Sequence, residues 1–277
     1  MLYTPPFSWK YYESNQSIAA NPVGTSVTTA PSSTGKSAET PTQLIASTGG
    51  DAYWIHVCCQ SYAASGTDSA GLCDIMHGAA GSESVLIPDL MIGQASAFGF
   101  GKHYSFPLYI PAGTRLSARA QGQRLSTAFR VYVALYGEPS SPTPFPIGSK
   151  ITAYGPNAGI NNNGVAITPG NNAEGAWTQV EAATDEEHFY LYPGFQHAGD
   201  TSMVTHDYAI EMGIGAATEK SISWDWHFLV PDATENEYGP LPAMGIWGDF
   251  AVGERLSMRA YCNGSPDTCD CAIYAVS

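Results

Sequence analysis

Two octets of this chain are nearly identical: GTRLSARA at 113–120 and GERLSMRA at 253–260. Between them they hold Arg115, Arg119, Arg255 and Arg259, four of the six arginines in the whole chain. A guanidinium is planar, permanently charged and rich in donors, so a row of them is built to grip carboxylates. Carboxylates are abundant here, with 25 acidic residues against 11 basic ones and a formal net charge of −14. One reading pairs the arginines with acids on the outer face of their own sheet. The other makes Arg115, Arg119, Arg255 and Arg259 an assembly interface, facing acidic surface on the other domain or on a neighbouring subunit.

No other residue pattern points to catalysis. There is no GxSxG nucleophile elbow, P-loop, dinucleotide fingerprint or paired CxxC. Seven histidines (56, 77, 103, 188, 197, 206 and 227) include no HExxH pair and no tight cluster. His197, His206 and Asp207 come nearest to a metal-ligand set, and they read as solvated loop residues. The carboxylate pairs Glu186 with Glu187 and Asp267 with Asp270 read as acidic loops, not as glycosidase acids. Cys262, Cys269 and Cys271 have spacing for one hairpin disulfide, but the six cysteines read first as buried free thiols. No catalytic, metal or cofactor residues are therefore expected.

The acidic balance repels phosphate backbones and anionic lipids, so neither nucleic acid nor membrane is an expected partner. No window approaches ~20 apolar residues, and the first residues lack a secretory signal pattern, which points to a protein made in the cytoplasm.

The octets belong to a longer repeat. TQLIAST from Thr42 matches TQVEAAT from Thr178, and GAA at 78–80 matches GAA at 215–217, in the same order as the octets. Two copies of one domain are the simplest source of that order. Within the copies apolar residues alternate with polar ones, as in Leu116, Ala118 and Ala120 against Arg115, Ser117 and Arg119. Ile222, Trp224, Trp226 and Phe228 alternate with Ser223, Asp225 and His227 in the same way. Other candidate strands are 42–48, 52–60, 71–77, 84–92, 104–110 and 128–136. The expected fold is all-β: two tandem β-sandwiches of jelly-roll type at 22–138 and 156–277, joined by a Pro-rich linker at 139–155. An extended N-terminal arm, residues 1–21, carries Tyr3, Phe7, Trp9, Tyr11 and Tyr12, aromatic anchors expected to dock on another subunit.

VLIPDLMIG (85–93), FPLYIPAGTRLSARAQ (106–121) and RVYVALYG (130–137) together resemble a group of structural proteins of tailed bacteriophages. The resemblance covers 51–139, and the second domain follows through the repeat, with AVGERLSMRAY replacing IPAGTRLSARAQ. It implies a non-enzymatic virion component, assembled in the host cytoplasm: capsid decoration, fibre or tail. Other virion proteins and copies of itself are the implied partners. The alternative reading is a carbohydrate-binding module for host surface glycan, resting on Tyr53, Trp54, Trp177, Tyr190, Tyr192, Trp224, Trp226 and Trp247 as aromatic platforms.

Overall fold

A computed structural model describes residues 11–15, 24–29, 41–61, 71–92, 101–122, 128–138, 145–157, 163–197, 206–215, 219–223, 225–230, 245–264 and 267–277. Among them there is no helix. The first half contributes β1 (Tyr12–Ser14), β2 (Thr25–Thr28), β3 (Thr42–Ile45), β4 (Trp54–Ser61), β5 (Gly71–His77), β6 (Ser84–Ile92), β7 (Lys102–Phe106), β8 (Leu116–Gly122) and β9 (Ala128–Tyr136). The second half contributes β10 (Ile151–Tyr154), β11 (Val165–Ile167), β12 (Gly170–Asn171), β13 (Thr178–Glu181), β14 (His188–His197), β15 (His206–Ile214), β16 (Lys220–Ser221), β17 (Trp226–Val230), β18 (Ile246–Phe250), β19 (Leu256–Cys262) and β20 (Cys269–Val276).

In the first half one sheet runs β2-β9-β4-β7 and the facing sheet runs β3-β8-β5-β6. In the second half β11-β20-β14-β18 faces β13-β19-β15-β17. Labelled in chain order, both halves have the strand arrangement of a jelly roll, and the fold is two tandem β-sandwiches of that type. The alternation read in β8 holds for its apolar face, while Ser117, expected on the outer face, is fully buried. Leu116, Ala118 and Ala120 are fully buried in the sandwich, and Arg119 lies half-buried on the outer face.

The structure moves two boundaries. Tyr12–Ser14, assigned to the arm, pairs with Tyr136, Leu135 and Ala134 of β9. Ile151–Tyr154, assigned to the linker, pairs in the same way with β20, from Val276 to Ile273. Each is the opening strand of its jelly roll. Three or four residues are too few to show apolar alternation, and it is the open edge of a long partner strand that recruits them. A third expectation also changes. The segment 222–228 is not one strand, because Ser223 turns inward to accept a hydrogen bond from Met212 N at 2.6 Å, and the edge divides into β16 and β17.

The two jelly rolls share a core. β20 is buried on both faces: Cys269, Cys271, Ile273 and Ala275 fill the second sandwich, whereas Ala272, Tyr274 and Val276 join the core of the first. The outer face of β14 and β20 therefore lies against the open side of the first sandwich, where β6 and β7 form the sheet edges.

Candidate functional site

All four repeated arginines are engaged within their own module. Arg119 Nε donates to Asp74 Oδ2 at 2.8 Å across the β8–β5 ladder, and Arg259 Nε donates to Glu211 Oε2 at 2.5 Å across β19–β15. Arg115 Nη1 meets Glu83 at 2.6 Å while its Nε reaches Gln43. Arg255 repeats this with Glu219 and Gln179. Arg259 also pairs with Glu174, and its guanidinium carbon lies 4.6 Å from the centre of the Trp177 ring. Of the two readings, the structure shows the cross-strand pairing, which neutralises acids such as Asp74, only 2% exposed.

The repeated heptads are mates of the repeated octets. Thr48, the last residue of TQLIAST, accepts from Gly113 N at 2.8 Å through its carbonyl, and its hydroxyl donates to Pro111 O at 2.8 Å. Thr184, the last residue of TQVEAAT, does the same with Gly253 N and Ala251 O, both at 2.8 Å. Gly113 and Gly253 hold φ of 80° and 82°, a region in which a side chain is strained, which is why each octet opens with glycine. The repetition is a conserved way of closing a sandwich, with no reacting group in it.

Chemistry-bearing side chains collect instead at the seam between the modules. An edge strand leaves a row of backbone groups unpaired, and three tyrosines of the second module take up those of the first. Tyr190 OH donates to Ser105 O at 2.9 Å and Tyr192 OH to His103 O at 2.8 Å, both on β7. Tyr274 OH donates to Asp89 O at 2.8 Å and accepts from Met91 N at 2.9 Å, both on β6. Asp89, at the irregularity in the β5–β6 ladder, has φ of 53°. Trp54, Tyr190 and Trp247 pack together beside these bonds, so three of the eight platforms considered for a glycan are here part of the joint.

Behind β7, two histidines that are distant in sequence meet. His56 Nδ1 lies 2.8 Å from Ser105 Oγ, His56 Nε2 lies 3.0 Å from His103 Nδ1, and His103 Nε2 lies 3.8 Å from Cys58 Sγ. This corrects the expectation that the histidines form no cluster; the β4–β7 register that joins them leaves no sequence signal. A serine on an imidazole is the start of a nucleophile, but Ser105 is 1% exposed and burial, followed by His103, pushes His56 down to about 3. Burial pushes the Cys58 thiol up to about 12, so it is no thiolate either. Each neutral imidazole supplies one donor and one acceptor, which the chain uses in full; a second proton on both rings would set donor against donor where His56 meets His103.

The second module carries a separate polar cluster. Lys150 Nζ and Thr152 Oγ1 each donate to Glu186 Oε1 at 2.7 Å, and Tyr154 OH donates to Asp185 Oδ1 at 2.8 Å. Tyr154 OH also lies 2.8 Å from His188 Nε2; with its own proton given to Asp185, the tyrosine oxygen accepts from the imidazole. The Tyr154 hydrogen bond holds Asp185 below the usual carboxylate range. Burial works to raise Glu186, and Lys150 and Thr152 outweigh it. Asp185, Glu186 and His188 have ligand atoms within 4.8 Å of one another, yet a cation would have to displace Lys150 and Tyr154 to reach them. The cluster ties β10 to the segment before β14. Tyr11 and Glu13 tie β1 to Gly49 at the matching place in the first module, the Tyr11 hydroxyl and the Glu13 carboxylate each accepting from Gly49 N at 2.9 Å.

Of the remaining candidates, Tyr11 packs on Gly49, Gly50 and Gly137 of its own module, while Tyr12 is 53% exposed and touches Tyr132 and Tyr136. Tyr3, Phe7 and Trp9 lie outside the described residues, as do the side chains of His197 and His206 and the whole of Trp224; Asp207 is exposed. All six cysteines are free thiols, and Cys58 is the one that is not fully buried.

The geometry defines a double jelly roll closed by a tyrosine-capped seam. No protein-family model matches the chain, and no curated protein matches it. Among solved structures, the N-terminal CBM22-1-CBM22-2 tandem domain from Paenibacillus barcinonensis Xyn10C is similar over 83% of this chain and 79% of that chain, at 8% identity and a TM-score of 0.23. A likeness that slight carries no argument about fold or function.

Proposed function

We propose that this protein is a non-catalytic structural component of a tailed-phage particle, as capsid decoration or as a fibre or tail part, assembled in the host cytoplasm. The seam is the observation that supports this most. Tyr190, Tyr192 and Tyr274 bind one jelly roll to the edge strands of the other, so the two modules are joined side chain to backbone along the seam. A particle component needs such a body, with its sheet edges covered against unwanted pairing. Arg119 with Asp74, Lys150 with Glu186 and Arg259 with Glu211 are ion pairs within the modules. Exposed Tyr12, beside Tyr132 and Tyr136, supports docking from this end of the molecule, next to the sequence that holds Tyr3, Phe7 and Trp9.

The test is size-exclusion chromatography with light scattering on the full chain and on a chain lacking residues 2–10. The deletion stops there because removing 12–14 would take a strand off β9. The full chain should form a defined oligomer, and the shortened chain a monomer with an unchanged far-ultraviolet spectrum. A full chain that stays monomeric at every concentration and does not bind phage particles ends the proposal.

A further inference from the structure

Where the first jelly roll meets the start of β10 there is a groove with a volume of about 530 Å³, inside the range of small-molecule sites. Val85 and Pro88 of β6, with Tyr109 and Pro111 of the segment after β7, make an apolar wall; His77 and Lys150 stand among its polar groups. Both Val85 and Tyr109 are 40% exposed, which is unusual for side chains of this size in this protein.

Tyr109 is held ready. Its ring sits 5.3 Å from that of Tyr53 at a tilt of 52°, and Asp51 lies beside its hydroxyl. A ring fixed in that way presents an aromatic surface without paying ordering entropy when a ligand arrives. The charge of the lining is the second observation. In a chain with 25 acidic and 11 basic residues, no Asp or Glu is among the described residues that line the groove, and Lys150 is its cation. Asp51 accepts from Ala112 N at 2.7 Å and from the Tyr109 hydroxyl, Glu186 accepts from Lys150 and Thr152, and neither acid is in the lining. Glu186 accepts one of the three ammonium protons of Lys150, whose side chain is 55% exposed, and the others are open to a ligand. Thr114, also in the lining, donates its hydroxyl proton to Pro111 O at 2.7 Å and so offers lone pairs to a ligand hydroxyl.

We propose that this groove binds an acidic sugar, a hexuronate residue of a glycan, with the C–H face of the ring on Tyr109 and the carboxylate on Lys150. A pyranose has one apolar face, hydroxyls around its rim and, in a hexuronate, one anionic group, which are the three features that the wall, Thr114 and Lys150 meet. The site is built from the junction of the modules and has no need of assembly, so its failure would leave the structural role standing, and the reverse.

The experiment is calorimetry and saturation-transfer NMR on the full chain with tetragalacturonate and with the neutral galactose tetramer. The acidic tetramer should bind, more weakly as salt is raised, and the neutral one should bind at least about tenfold less well. Tyr109→Ala should abolish binding. Lys150→Met should lower it about tenfold, and Lys150→Arg, which keeps the charge and the pairing with Glu186, should restore most of it. No binding of tetragalacturonate at about 10 mM, equal binding of the neutral tetramer, or undiminished binding by Tyr109→Ala and Lys150→Met together would overturn the assignment.

Discussion

Removing one oxygen atom at the seam, with Tyr274→Phe, isolates the contribution of the edge caps. Tyr274 is fully buried, and its hydroxyl serves two backbone groups of β6, the Asp89 carbonyl and the Met91 amide. Phenylalanine keeps the ring packing against Tyr104 and Phe106 but leaves both groups buried without that partner. A buried backbone group that loses its hydrogen bond costs about 1–3 kcal/mol, so the pair is worth roughly 2–4 kcal/mol once some relaxation is allowed for. Urea denaturation followed by fluorescence should show that loss with an unchanged m-value. Amide exchange adds a local readout, because protection of Met91 N should fall more than that of Ile273, which lies on the other face of the same strand as Tyr274. Tyr53→Phe is the control: its ring is half-exposed and its change should stay within about 0.5 kcal/mol. A Tyr274→Phe protein as stable as the wild type, with Met91 still protected, would refute the idea that these tyrosines hold the modules together.

Acid should loosen the same region. His56 is neutral in the folded chain, held down to about 3 by burial against an ordinary 6.5. The unfolded chain takes up its proton first, so stability is full above about pH 6.5 and drains away as pH falls toward 3. At ~1.4 kcal/mol per pH unit the whole window is worth roughly 5 kcal/mol. His56→Gln should flatten the slope between pH 4 and 6.5 in denaturation curves, and parallel slopes for the two proteins would dismiss the account. For the arginines, Arg119→Met should destabilise by about 1–3 kcal/mol, since it takes the cation from the Asp74 carboxylate, whose side chain is 3% exposed and keeps the hydrogen bond from Asp89 N, while the oligomeric state stays as it was. A change of oligomeric state without loss of stability would return Arg119 to the assembly surface.

Much of the fold could be read from the chain because duplication supplies its own control. The strands at 71–77, 84–92 and 128–136 coincide with expected segments, and the octets mark β8 and β19 with their turns. Alternation is visible there since one face is apolar and the other charged. The opening strands β1 and β10 escaped notice, being short and held by edge pairing plus side chains such as Tyr11 and Tyr154. The site was less legible. Arg119 gave away its importance by repetition, but not its partner, because Asp74 lies 45 residues away and only sheet register sets them side by side. His56 and His103 met for the same reason. Tyr190 and Tyr192 were named only as platforms of the alternative reading and Tyr274 not at all, because a strand that is buried on both sides, as β14 and β20 are, has no polar stripe to show which way it faces.

Duplication usually yields parts that can be exchanged, but β20 has made these two unequal. By register, Ala134 occupies the place of Tyr274, His56 that of Tyr192 and Trp54 that of Tyr190. The first copy is shaped to receive and the second to clasp, so the two are no longer interchangeable: written as the first copy twice over, the chain would present two sockets and no plug.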